Sequence, residues 1–132
     1  VDSKLSERTG FSNSRQVWRV VRQRVVDSCA SVIDIDYLDA SLVPQLNRSI
    51  AEYSIYDYIE NQLKLSISHA FKEITIDNAT DQDKILIDLG KDQHVVCVRS
   101  KVYLNNGKQF QFTESRHKLE KFKFVDYAKR RH

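Results

Sequence analysis

The stretch Val95-Val96-Cys97-Val98-Arg99-Ser100-Lys101-Val102-Tyr103-Leu104-Asn105-Asn106-Gly107-Lys108-Gln109-Phe110-Gln111-Phe112-Thr113-Glu114-Ser115 decides the fold class. Val95 to Leu104 is rich in β-branched residues, which fit a pleated strand. Asn105-Asn106-Gly107 supplies residues that tolerate positive φ, as a tight hairpin turn requires. The returning segment, from about Gln109 to Ser115, alternates in character. Phe110, Phe112 and Glu114 fall on one face, and Gln111, Thr113, Ser115 and then His117 on the other.

Outward from this hairpin, the same signals recur. Val17 to Val26 reads as a strand, Asp27-Ser28-Cys29 as a polar break, and Ala30 to Leu38 as a second strand, a hairpin without the Asn-Gly turn. Pro44 favours a turn, and Ser54 can cap a helix in which Ile55, Ile59 and Leu63 share one apolar face. Ile67 to Ile76 reads as a strand. Thr80 can cap a short helix over Asp81 to Leu89 that Gly90 ends, and a last strand is predicted over Phe122 to Tyr127. Residues 1–16, polar and containing Gly10, read as an arm or loop. The predicted order is β-β-α-β-α-β-β-β, an α+β fold with a mostly antiparallel sheet and packed helices.

The bulk composition bounds the function. The 132 residues carry 41% hydrophobic and 30% charged side chains, enough for one modest core. The net charge is +3, with much of the excess in Lys129, Arg130, Arg131 and His132. A terminal basic tail is not the stripe along one helix or face expected of a nucleic-acid contact surface. Cys29 and Cys97 lie apart in apolar runs, as two small buried thiols of a reducing cytoplasm would. No apolar run approaches the roughly 18 residues that span a membrane. A chain opening on Val1 with polar residues after it reads as a piece of a longer protein.

Catalytic signals are sparse. There is no Gly-rich phosphate loop and no nucleophile elbow, and His69, His94, His117 and His132 do not pair at metal-ligand spacing. No metal or cofactor is expected, although an acid/base pair of Glu114 and His117 stays open. Binding signals are clearer. Arg22 and Arg24 alternate in a strand and share a face with Trp18 and Val20. Two adjacent guanidiniums suit a phosphate, whose oxygens match their forked donors, or a pair of surface carboxylates. Ser54 serves either as a plain cap or as part of an anion site. The polar side of the returning strand fits a polyol or ordinary solvent exposure.

The order of these features resembles the UTRA domain, the effector domain of the HutC branch of GntR-type regulators. The resemblance runs through Val17 to Arg24, Asp36-Tyr37-Leu38, Ser54-Ile55-Tyr56-Asp57-Tyr58-Ile59-Glu60, the Asn-Asn-Gly hairpin and the closing run Phe110 to Phe124. It implies a chorismate-lyase-like fold without lyase activity, in a cytoplasmic homodimer. It also implies a winged-helix domain upstream that contacts operator DNA, with residues 1–16 leading in from it and 17–132 forming the sensing domain. The segment Thr113 to Arg131 is similar to the branch that represses trehalose uptake and use, which implies trehalose 6-phosphate as effector; another sugar phosphate or an amino-sugar phosphate is the alternative. The resemblance assigns Arg22, Arg24, Ser54 and Tyr56 to the effector and its phosphate, and Asp34, Gln111, Glu114 and His117 to the sugar. Gln111 stands where relatives that bind amino sugars often carry glutamate, and His117 where many carry tyrosine.

Overall fold

The computed structural model describes residues 3–26, 28–43 and 66–128. Within them the chain forms helix α1 (Ser3–Thr9), strands β1 (Val17–Val26), β2 (Cys29–Asp39) and β3 (Ile67–Asn78), helix α2 (Asp81–Leu86), and strands β4 (His94–Leu104) and β5 (Gln109–Lys118). The five strands form one sheet in the order β1-β2-β5-β4-β3, and every neighbouring pair is antiparallel. The predicted α+β class and antiparallel sheet hold. The predicted helix from Ser54 lies outside the described residues.

The turns obey local chemistry. At the β4–β5 hairpin Gly107 takes φ 84°, its N–H bonds to Leu104 O at 3.0 Å, and Leu104 N–H returns to Lys108 O at 2.9 Å. The β1–β2 turn has no glycine; Ser28 itself adopts φ 62°. Thr80 caps α2 in a capping box: Asp83 N–H donates to Thr80 Oγ1, and the Asp83 carboxylate accepts from Thr80 N–H.

Alternation along β2, β4 and β5 gives the sheet two faces. On one, Ile33, Ile35, Tyr37, Val95, Cys97 and Phe112 form a core with Phe11, Ile87 and Leu89. A smaller cluster holds Leu38, Val43, Val102, Leu104 and Phe110. Phe110 was expected beside Phe112, but a register shift between Val102 and Tyr103 inserts it as an extra residue and sends it to the second cluster. Cys97 is buried, while Cys29 is only partly so; neither is in a disulfide.

Three further elements differ from expectation. Residues 1–16 are not all loop: α1 is helical and is held at its end by Gly10 N–H on Ser6 O and by Gln109 Nε2 on Thr9 O. Helix α2 stops at Leu86, not Leu89: Ile87 leaves it in extended backbone, and Ile87 and Leu89 both pack into the core. Residues 122–128 form no strand after the 3-10 turn Leu119–Lys121. β5 is already paired on both edges, so the departing chain finds no strand to join, and Phe124, Val125 and Tyr127 remain exposed.

Gly10 sits at φ 87°, and a Cβ there would lie 3.0 Å from Gln109 Oε1. Gly10→Ala is therefore expected to destabilise the domain by roughly 1–2 kcal/mol, the cost of a left-handed alanine. A urea midpoint equal to the parent's would contradict this.

Candidate functional site

The face of the sheet opposite the main core carries the polar residues. The register aligns Arg22 with Asp34, Asp34 with Ser115, Asp36 with Thr113, Leu38 with Gln111, and Val32 with His117. Because alternate residues share a side, Arg22, Arg24, Asp34, Asp36, Gln111, Thr113, Ser115 and His117 project together. Five of the eight expected site residues, Arg22, Arg24, Asp34, Gln111 and His117, thus meet on one face. Ser54 and Tyr56 lie outside the described residues.

Glu114 does not join them. It points to the core face, where it is 1% exposed and bonded by Arg8, by Arg99 Nη2 at 3.0 Å and by Arg116 Nη1 at 2.9 Å. It thus lies on the face that alternation predicts for it, apart from the other expected sugar contacts, and its carboxylate is taken up by three arginines. The acid/base pair with His117 falls for the same reason, since adjacent odd and even positions of a strand face apart. Arg116 is itself clamped by Asp83 through Nε and Nη2 at 2.8 Å, and Arg99 also holds Asp77. This is a buried ion network joining α1, α2 and three strands.

Asp77 belongs to that network. Burial alone would raise its carboxyl, but hydrogen bonds from Arg99 and Thr75 outweigh burial and bring it down to about 2. A depressed carboxyl stabilises the fold above its unfolded value and loses that contribution as pH falls through the folded one. Asp77→Asn should therefore flatten the acid unfolding profile between about pH 4 and pH 2. An unchanged acid limb in circular dichroism would oppose this.

On the polar face the two arginines are each matched with an aspartate. Arg22 Nη2 donates to Asp36 Oδ2 at 2.8 Å, and Arg24 holds Asp34 through Nε at 2.6 Å and Nη2 at 3.1 Å. Ser115 Oγ donates to Asp34 Oδ1 at 2.6 Å, and Gln111 Nε2 to Asp36 Oδ1 at 3.2 Å. The arginine side chains stay 42% and 54% exposed, so a ligand can reach them. Of the two expectations for this pair, the structure contains the pairing with carboxylates, which uses part of each fork; a guanidinium carries further N–H donors besides. His117 stacks edge-on against Phe122 at 5.2 Å. Burial, and then the charge of Arg24, lower the pKa of its imidazole, which favours the neutral ring; Asp34 pulls the other way. A neutral imidazole offers one donor and one acceptor, which suits hydroxyl groups.

Asp36 was absent from the expected set. The signal existed: in Ile33-Asp34-Ile35-Asp36-Tyr37 the apolar residues take the core face, which leaves both aspartates opposite it. Among the described residues no group of His, Cys, Asp and Glu could hold a metal, and no helix is long and apolar enough to cross a membrane.

Comparison with known proteins agrees with this architecture. The UTRA domain family matches residues 1–123. The HTH-type transcriptional regulator TreR of Bacillus subtilis (strain 168) is 48% identical over 114 residues, 86% of this chain and 48% of that protein. The HTH-type transcriptional repressor NagR of the same organism is 26% identical over 127 residues, 96% of this chain and 52% of that protein. The chain thus spans about half the length of these curated relatives. Among solved structures, the effector binding domain of the B. subtilis trehalose repressor superposes with a TM-score of 0.91 at 42% identity, covering 100% of this chain and 92% of that one. A GntR-family regulator from Bacillus cereus shares the fold, with a TM-score of 0.87 at 24% identity over 98% of this chain and 90% of that one. The chain belongs to the UTRA domain family.

Proposed function

We propose that the chain is the sensing domain of a bacterial repressor of trehalose uptake and use, and that its polar sheet face binds trehalose 6-phosphate to relieve repression. The observation that carries this reading is the matched pair Arg22 and Arg24, each seated on an aspartate yet reachable, on a face that also bears Gln111, Ser115 and His117. The arginines offer forked donors to phosphate oxygens, and the part-exposed Ser115 hydroxyl and His117 imidazole offer partners for sugar hydroxyls, with the buried Gln111 amide behind them. The 48% identity with TreR of B. subtilis, and the match to the effector binding domain of its trehalose repressor, support an effector of the trehalose type. Ser54 and Tyr56 complete the phosphate end in this reading.

The domain works as a homodimer that moves winged-helix domains, attached upstream of residues 1–16, on operator DNA. Twofold symmetry suits a palindromic operator. The effector shifts the balance of dimer arrangements by no more than its differential affinity for them. The domain is a cytoplasmic sensor and carries no catalysis of its own.

Calorimetry tests the site. Arg22→Ala or Arg24→Ala should weaken trehalose 6-phosphate binding by roughly 1.5–3 kcal/mol, the worth of a charge-assisted bond. Binding of unphosphorylated trehalose should change far less, and the melting temperature should hold. Parent-like binding by both variants would return these arginines to ordinary surface pairing.

A further inference from the structure

The chain leaves the sheet as an exposed arm of alternating character. After the 3-10 turn Leu119–Lys121, Phe122 takes extended backbone at φ −89° and ψ 131°. Phe124, Val125 and Tyr127 beyond it are 66%, 75% and 86% exposed. A strand-like run this apolar and this bare needs only an edge to join. The domain itself carries such an edge. β3 lies at the margin of the sheet, with β4 on one side and, among the described residues, no strand on the other. Its outer N–H and C=O groups form a template for a further strand, no proline interrupts its 12 residues, and Phe71, Ile74 and Ile76 are exposed along it.

We propose that residues 122–128 of one copy add as an antiparallel strand to the β3 edge of a second copy, and that this reciprocal exchange of arms forms the homodimer. This rests on the dimer reading above. Charge selects the edge. Lys121 and Lys123 make the start of the arm basic. β1, the other marginal strand, carries Arg19, Arg22 and Arg24 and no acid, so it repels the arm. β3 carries Asp77 and Glu73, and the Glu73 side chain is 70% exposed. Side-chain pairing selects the register. With Phe124 opposite Ile74, Phe122 meets Ile76, Tyr127 meets Phe71 and Asp126 meets Lys72, while Lys123 lies diagonally between Glu73 and Asp77. Val125 against Glu73 is unmatched, but no like charges face each other. Apolar, aromatic and opposite-charge pairs of this kind stabilise neighbouring strands. A slip of two residues would set Phe124 against Lys72 or Asp126 against Ile74. Twofold exchange leaves neither an arm nor a β3 edge free for a third copy, so the assembly closes at two. The root of the arm also touches the sensing face, where Phe122 packs edge-on against His117.

The test is sedimentation equilibrium of the full chain and its variants over a range of concentrations. The parent should be a dimer. Phe124→Asp removes an apolar pair twice per dimer, at a side chain that the single chain leaves exposed. Its circular dichroism should match the parent's, while its dimer dissociation constant should rise about thirtyfold or more. Lys72→Glu sets two acids opposite each other and should weaken the dimer about fivefold or more. Adding Asp126→Lys restores opposite charges and should return the constant to within about twofold of the parent's. A role of Lys72 within its own chain would not be rescued from the arm. If Phe124→Asp dimerises like the parent, or the loss from Lys72→Glu persists with Asp126→Lys, the arm does not lie on β3 and the dimer forms through another face. A monomeric parent overturns both readings.

Discussion

Glu114→Ala is expected to cost the domain about 3–5 kcal/mol of folding stability, the range found when one partner of a buried ion pair is removed. Glu114 is 1% exposed and takes hydrogen bonds on both oxygens, from Arg8 on one and from Arg99 and Arg116 on the other. Removing it leaves three guanidiniums around one space, balanced among the described residues by Asp77, Asp83 and the more distant, exposed Glu73. Arg116 cannot escape to water, since its side chain is 8% exposed. Glu114→Gln keeps the shape and one acceptor oxygen, so its cost should be smaller, roughly 1.5–3 kcal/mol. Replacement by an apolar residue of similar size should rescue nothing while the arginines stay. Urea denaturation of the three variants measures this. A loss below about 1 kcal/mol for Glu114→Ala would mean that the arginines relax to solvent and that the network is not a stabilising unit.

Phe112→Ala should cost a similar amount, about 3–5 kcal/mol, by a different mechanism. Phe112 lies in β5, paired on both edges, is 1% exposed, and sits with Ile33, Ile35, Tyr37, Val95 and Cys97. Its ring centroid lies 6.2 Å from that of Tyr37. Truncation loses the transfer energy of the ring and leaves a cavity that strands held on both sides close poorly. A domain of this size has about 5–15 kcal/mol in total, so either variant leaves little reserve. The readouts separate the two. The Glu114→Ala cost should depend on salt, which screens the freed charges, and the Phe112→Ala cost should not. Salt-independent losses in both would point to a shared packing defect.

The strands were readable because alternation and turn residues are local signals. Asn105-Asn106-Gly107 gives its hairpin, and the two-residue spacing of Arg22 and Arg24 gives their shared face. What failed depends on neighbours that a linear pattern does not contain. Phe122-Lys123-Phe124 alternates like a strand, yet no open strand edge adjoins the end of β5. Ile87 and Leu89 continue a plausible helical pattern but pack into the core beyond its end. Phe110 was misplaced by a register shift, which leaves no mark in composition. Alternation places Glu114 on the correct face of its strand, but not the arginines that converge on it, two of them distant in sequence. Asp36 is legible by alternation and lies in the Asp36-Tyr37-Leu38 run that carries the resemblance, but nothing in that run marks it as a partner of Arg22.

The two-sided character of β5 has a consequence for how this domain can change over generations. Gln111, Thr113 and Ser115 occupy its polar face, while Phe112, Glu114 and Arg116 belong to the core face. Inserting or deleting one residue inside β5 would exchange the two sets, sending an unmatched acid and an arginine across the sheet and polar amides into the core. Such changes are closed to the lineage, whereas residues 123–128, which pair with no strand of their own chain, tolerate changes of length within its fold. Drift in ligand preference must then proceed by single exchanges at odd positions of β5 and even positions of β2, where a new side chain alters the polar surface without disturbing the charges balanced on the other side.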